Sequence, residues 1–171
     1  MIGRRGRDAS STVVGDAAQS SWPTPVESAT ARAEAFGGQP RQVFHLTTNY
    51  RNAREIFDYA AHVIRADVPD ADIPDAVRET GVAPRLVDLP ATTWEEQGLG
   101  QLARLAAQEV QRLLDAVDGS VAVITPARYA AALAPLAGTP GARVRVLDPL
   151  SSKGLEWDAA IVVDPAEIRR A

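Results

Sequence analysis

The run Val121-Ala122-Val123-Ile124 constrains the fold more than any other segment. Four consecutive apolar residues, three of them β-branched, leave no polar face. That is the signature of a short strand buried on both sides, as in a parallel sheet covered by helices. A strong helical pattern precedes it. Between Thr93 and Val117, Leu99, Leu102, Leu105, Ala106, Val110, Leu113 and Leu114 fall on one stripe, and Asp118-Gly119 ends the helix. Pro126 opens a further helix through Leu133 to Leu136. Val144–Leu147 and Ala159–Val163 then read as further strands. Parallel strands need long crossovers, and this alternation supplies them.

The earlier half is less sharply patterned. Ser11–Val14 reads as a buried strand ending at Gly15-Asp16, and Glu27–Phe36 as a short helix closed by Gly37-Gly38. Val43-Phe44-His45-Leu46 reads as a second strand. A loop then begins at Thr47 or Thr48, and Asn49 or Asn52 caps a helix carrying Ile56, Ala60, Val63 and Ile64. Asp67–Pro74 reads as a surface loop and Arg85–Leu89 as a strand. The expected class is α/β, a parallel sheet flanked by helices. A boundary is expected at Gln39-Pro40, which separates residues 1–40 from a domain spanning 41–171.

Composition narrows the function classes. The 171 residues include no Cys, so disulfides, thiolate zinc sites and a thiol nucleophile are excluded, and two His are too few for a His-rich metal site. The basic segment Met1–Asp8 is followed by no apolar run, so no secretory signal and no membrane span are expected, and the expected compartment is the cytoplasm. The net charge of −4 gives no overall basic field for nucleic acid. Lys and Arg total 18, yet Lys153 is the single Lys. A translational bias toward Arg accounts for the excess, and Lys153 stands out as a place where an ammonium was kept.

Ligands of open parallel sheets bind beyond the C-terminal strand ends, and three polar clusters fall after expected strands. Thr12-Val13-Val14-Gly15-Asp16-Ala17-Ala18-Gln19-Ser20 resembles the third motif of superfamily 1 helicases of the UvrD/Rep/PcrA group, of the form GDxxQS. Leu46-Thr47-Thr48-Asn49-Tyr50-Arg51-Asn52 is similar to their fourth motif, LxxNYR. Ser152-Lys153-Gly154-Leu155-Glu156-Trp157-Asp158 is similar to their fifth, KGLEFD. The flanks Leu147-Asp148-Pro149-Leu150 and Val162-Val163-Asp164-Pro165 look most like the actinobacterial HelD/HelR proteins, helicase-like ATPases that release RNA polymerase from stalled complexes. Roughly a hundred residues separate Arg51 from Lys153, too few for the extra domain that UvrD-type helicases insert there.

The resemblance implies a RecA-like fold, with residues 1–40 belonging to the end of a first RecA-like domain and 41–171 to a second. It implies that ATP sits between two such domains. Gln19 would sense the γ-phosphate, Tyr50 would stack on adenine, and Arg51 would act as an arginine finger. Glu156 would bind the ribose, and Lys153 and Gly154 would brace the loop near the phosphates. Trp22 would stack on single-stranded DNA. RNA polymerase is the implied protein partner.

Departures from the family pattern matter equally. The sequence carries no GxxxxGK[ST] phosphate loop and no acidic Mg²⁺ motif. ATP and Mg²⁺ are therefore expected only with a first RecA-like domain that supplies both, and the isolated chain is expected to be inactive. No metal ligand is expected in this chain, and Asp164, although it ends a strand, is not read as one. Leu150 stands where many UvrD-type proteins place a DNA-contacting His, which favours a protein partner over DNA translocation. The competing expectation is a non-catalytic RecA-like module that binds RNA polymerase or another protein.

Overall fold

The computed structural model describes residues 14–15, 30–31, 33–34, 42–69, 71–89, 96–138 and 141–169. Gln19, Trp22, Asp16 and Trp94 lie outside the described residues, as do most of residues 1–40. The chain divides into two compact units, Met1–Leu86 and Val87–Ala171. The architecture is mixed α/β with parallel strands and flanking helices. Two separate sheets form where one was expected.

In the first unit, β1 (Thr48–Ala53) leads into α1 (Arg54–Asp67), and β2 (Asp75–Arg78) returns parallel to β1. The apolar run Val43-Phe44-His45-Leu46 is not the strand. It has no strand partner among the described residues and is exposed, with Phe44 at 80% and Leu46 at 78%, and the strand begins two residues later. Local apolarity alone cannot choose the register, because pairing with β2 selects Thr48-Asn49. Neither Asn49 nor Asn52 caps α1. Its N-cap is Ala53, in extended conformation, with no side-chain cap. The Ile56 stripe is displaced as well. Ala61 is buried while Ile56 is 53% exposed. Arg85–Leu89 forms no strand, and Asp75–Arg78 pairs where no strand was expected. Val14 is 81% exposed and outside any strand. Thr30, Ala31, Ala33 and Glu34 are helical, within the expected Glu27–Phe36 helix.

The second unit follows the sequence pattern closely. Its elements are α2 (Glu96–Ala116), β3 (Val121–Ile124), α3 (Ala127–Leu133), a 3₁₀ turn (Ala134–Ala137), β4 (Val144–Leu147), β5 (Ala159–Val162) and α4 (Pro165–Ile168). The strand order is β4-β3-β5, all parallel, with Val121 opposite Val144 on one side and Ala159 on the other. β3 is central, and Val121, Ala122 and Val123 are fully buried, as an unbroken apolar run requires.

The core joins Leu102, Ala106 and Val110 of α2 to Val121 and Val123, with Tyr129 and Leu133 of α3, Val144 and Val163. Fully burying an aliphatic side chain such as Leu133 contributes about 1.5–3 kcal/mol. The last turn of α2 holds no basic residue, so its free carbonyls are met from a distance. Arg143, just before β4, donates to the carbonyl of Leu114 at 3.4 Å and, just past the helix end, to those of Val117 and, at 2.8 Å, Gly119. No helix among the described residues is long and apolar enough to cross a membrane.

Candidate functional site

Two of the three sequence clusters are described, one in each unit. The first sits on β1. Register runs Asn49 to Ala76 and then Ala53 to Arg78, so β1 advances four residues while β2 advances two. The surplus forms a bulge at Tyr50-Arg51-Asn52, a feature that re-aims side chains at strand ends. The Asn49 carboxamide holds it, accepting from the Arg51 N–H at 3.0 Å and the Asn52 N–H at 3.2 Å. Tyr50 is 74% exposed, and Arg51 is exposed beside it.

The strand ends next to this bulge are tied to the start of α1. Arg54 donates through Nε to the Ala76 carbonyl at 3.0 Å and pairs with Glu79. The Glu55 carboxylate accepts from the backbone N–H groups of Thr80 and Gly81 and from the Thr80 hydroxyl at 3.1 Å. Gly81 has φ +72°, which a side chain would resist, and this turn presents its N–H groups to Glu55. Hydrogen bonds from its own backbone N–H first, then from those of Gly81 and Thr80, hold the Glu55 carboxyl below the usual range against the opposing effect of burial.

The second cluster occupies residues 148–158, which connect β4 to β5 without a helix. The sequence reading places Ser151–Asp158 beyond a C-terminal strand end. The structure corrects this in part. Asp148 follows β4 at the C-terminal edge of the sheet, but Asp158 stands before β5, at the opposite edge. The connection therefore runs from one edge to the other, with Lys153-Gly154 in a turn along the way. Asp148 pins its start, accepting from the N–H groups of Leu150 and Ser151, both at 2.9 Å, and from the Ser151 hydroxyl at 2.5 Å. Those donors, the Ser151 hydroxyl foremost, hold the Asp148 carboxyl below its usual range. The turn is closed by Lys153 N–H to the Leu150 carbonyl and Leu155 N–H to the Ser152 carbonyl. Gly154 takes φ +77° with open space around it, so the glycine answers to backbone conformation and not to crowding. Lys153 and Glu156 are exposed.

Trp157 is only half-buried, and its indole N–H is buried without a hydrogen-bond partner. Asp158 closes the loop, accepting from the Ser120 N–H at 2.7 Å and the Ser120 hydroxyl at 3.3 Å.

A third group was not legible in the sequence. Asp164 follows β5 at the C-terminal edge and adopts φ +46°, uncommon for a non-glycine residue. Its carboxylate accepts from Arg128 at 2.5 Å, from the Tyr129 hydroxyl at 2.9 Å and from the Glu167 N–H at 3.0 Å. Arg128 stacks over the Tyr129 ring at 4.5 Å and lies 3.7 Å from Glu167. Burial alone would raise the Asp164 carboxyl, but these donors hold it below its usual value. Burial and the neighbouring carboxylate push the Tyr129 phenol up. Arg128 and Tyr129 look like ordinary helix residues in sequence, and only the approach of β5 to α3 gives them partners.

Among the described residues no group of three His, Cys, Asp or Glu could hold a metal ion. No protein-family model matches the chain, and no curated protein matches it.

Proposed function

We propose that this chain contributes the second RecA-like domain of a superfamily 1 helicase-like ATPase, most similar to the HelD type acting on RNA polymerase. The observation that carries the reading is the presentation of the two described motifs. Tyr50 and Arg51 stand on an exposed bulge fastened by Asn49, and Lys153-Gly154-Leu155-Glu156 forms an exposed turn closed by its own backbone. A parallel α/β sheet in the second unit supports the same reading.

In this function the flat, exposed face of Tyr50 stacks on adenine. The Arg51 guanidinium offers a planar donor fork to the γ-phosphate as charge shifts in the transition state, a contribution of about 10³–10⁵ in rate. The Glu156 carboxylate accepts from the ribose hydroxyls. Lys153 adds a positive charge near the phosphates, and Gly154 lets the backbone turn there. Gln19 completes the set by orienting water, and Trp22 offers a stacking surface to single-stranded DNA; both lie outside the described residues. The phosphate cradle and the Mg²⁺ carboxylates belong to another domain, because this sequence contains neither motif.

Titration of the isotope-labelled chain with ATP, followed by NMR, tests the reading. Amides of Tyr50–Asn52 and of Ser152–Glu156 are expected to shift with a dissociation constant of about 1 mM, since a half-site supplies only about 4 kcal/mol of binding. Hydrolysis by the chain alone is expected to be negligible. Arg51→Ala and Glu156→Ala should each weaken the shifts on their own segment. Unmoved amides at both segments would overturn the reading, and vigorous turnover by the chain alone would overturn the division of labour.

A second reading, a non-catalytic RecA-like module that binds a protein, is favoured by the exposed run of Val43, Phe44 and Leu46. It predicts no response to ATP at either segment.

A further inference from the structure

The Lys153–Glu156 turn carries the proposed nucleotide contacts of the second unit, but it does not determine its own position. One end of the connection is local, with Asp148 bonded to Leu150 and Ser151. The other end is not. Asp158 reaches across 38 positions of sequence to Ser120, the residue just before the central strand. Four hydrogen bonds meet there. The Asp158 carboxylate accepts from the Ser120 N–H at 2.7 Å and from its hydroxyl at 3.3 Å. The Ser120 carbonyl accepts from the N–H groups of Asp158 and Ala159 at 3.1 and 3.2 Å.

Gly119 makes this clasp possible. A Cβ built on Gly119 would overlap the Asp158 carboxylate itself. The overlapping atoms are the free end of a side chain and not backbone, so a methyl group at 119 would expel the carboxylate and leave the strands in place. The sequence marks Gly119 only as the stop of α2, and nothing in the fifth-motif resemblance reaches back to it.

We infer that Gly119 and Ser120 are positioning residues for the Lys153–Glu156 turn: by receiving Asp158 they fix the far end of the connection, and with it the backbone that presents Lys153 and Glu156 to nucleotide. The inference rests on the nucleotide-binding reading above. The clasp itself is defined without any nucleotide, and the two are tested separately.

Amide hydrogen exchange on the full chain tests the clasp. Gly119→Ala and Asp158→Ala should each speed exchange across residues 150–158 by about tenfold or more. Val121–Val123, fully buried in β3, should keep their protection and so report an intact fold. Asp158→Asn retains an acceptor for the Ser120 N–H and should restore most of the protection. Unchanged exchange at 150–158 in both Gly119→Ala and Asp158→Ala overturns the clasp.

ATP titration of the same variants tests positioning. In Gly119→Ala, ATP-induced shifts at Ser152–Glu156 should weaken at least fivefold while those at Tyr50–Asn52, in the other unit, persist. Asp158→Asn, with Gly119 kept, should retain most of them. A merely structural lesion would depress both segments together, and that result would overturn the positioning role. So would wild-type shifts at Ser152–Glu156 in Gly119→Ala. If the wild-type chain shows no ATP response anywhere, the functional reading falls, and the positioning role falls with it. The exchange data then still decide whether the clasp exists.

Discussion

The two units are built on the same local unit, a strand followed by a helix and a parallel strand, yet they are held together by different forces. In Val87–Ala171 the central strand is buried on both faces, and Leu102, Val110, Val121, Val123, Tyr129 and Leu133 fill the space between sheet and helices. In Met1–Leu86 the buried apolar residues among those described are three alanines, Ala53, Ala61 and Ala76. Large apolar side chains are present there but face outward, including Phe44, Leu46, Ile56 and Val77. Polar ties do the joining instead, from Arg54 to Ala76 and Glu79 and from Glu55 to Thr80 and Gly81. Burial of large side chains gives several kcal/mol at each site, whereas exposed ion pairs give little and are weakened by salt. A strand-helix-strand pattern thus specifies geometry but not stability. Stability comes from what lies between the layers.

The largest expected effect breaks the better-packed unit. Leu133→Ala removes a side chain with no exposure and should cost about 2–5 kcal/mol, read as a lower denaturation midpoint with lost protection at Val121–Val123. Protection in β1 should fall less, since its ties do not run through that core. Equal loss in both units would contradict the contrast.

A smaller effect is expected at the polar edge of the same unit. Asp164→Asn weakens the bonds from Arg128 and Tyr129 and should cost about 1 kcal/mol at neutral pH, the pair with Arg128 being partly screened. The sign with pH follows from the depressed carboxyl. Its contribution is fully present above the ordinary aspartate value of 3.8 and is lost as pH falls through the lower folded-state value. Acid unfolding of the second unit should therefore begin below about pH 4, and Asp164→Asn should flatten that limb. An unchanged acid limb would show that the buried core alone sets the stability of this unit.

The smallest global effect is expected at Glu55. Glu55→Gln keeps the size but weakens the acceptor for Thr80 and Gly81. Proteolysis and exchange should increase at residues 79–82 and leave β3 untouched, more so at low salt, where the native tie is strongest. An effect reaching β3 would mean that the polar ties matter beyond their own unit.

Legibility in the sequence follows the same division. Val121–Ile124, Val144–Leu147, Ala159–Val162 and the long helix could be read because a strong apolar signal coincides with burial. Val43–Leu46 has an equally apolar signal, but the pairing strand lies at Thr48–Ala53, where polar residues dominate and propensity points to a loop. Asp75–Arg78 is a strand only because β1 is there to pair with it. The site divides likewise. Tyr50, Arg51, Lys153 and Glu156 stood out by motif and proved exposed. The bulge that presents Tyr50 and Arg51 comes from a mismatch in register between two strands, which neither strand encodes alone.

By itself the sequence determined the class of this protein and the strands and helices of its second unit, because alternating apolar runs and helical stripes impose burial wherever they occur. It also determined the chemistry available, with no thiol, a single ammonium and no phosphate loop in these residues. Tertiary structure alone decided which polar groups meet. Asp158 finds Ser120 over a glycine, Asp164 collects Arg128 and Tyr129, and Arg143 meets the end of a helix whose last turn lacks a cation. Hydrogen bonds between such groups depend on distances set by packing between segments far apart in the chain, and those distances leave no periodic trace in the residues that make them.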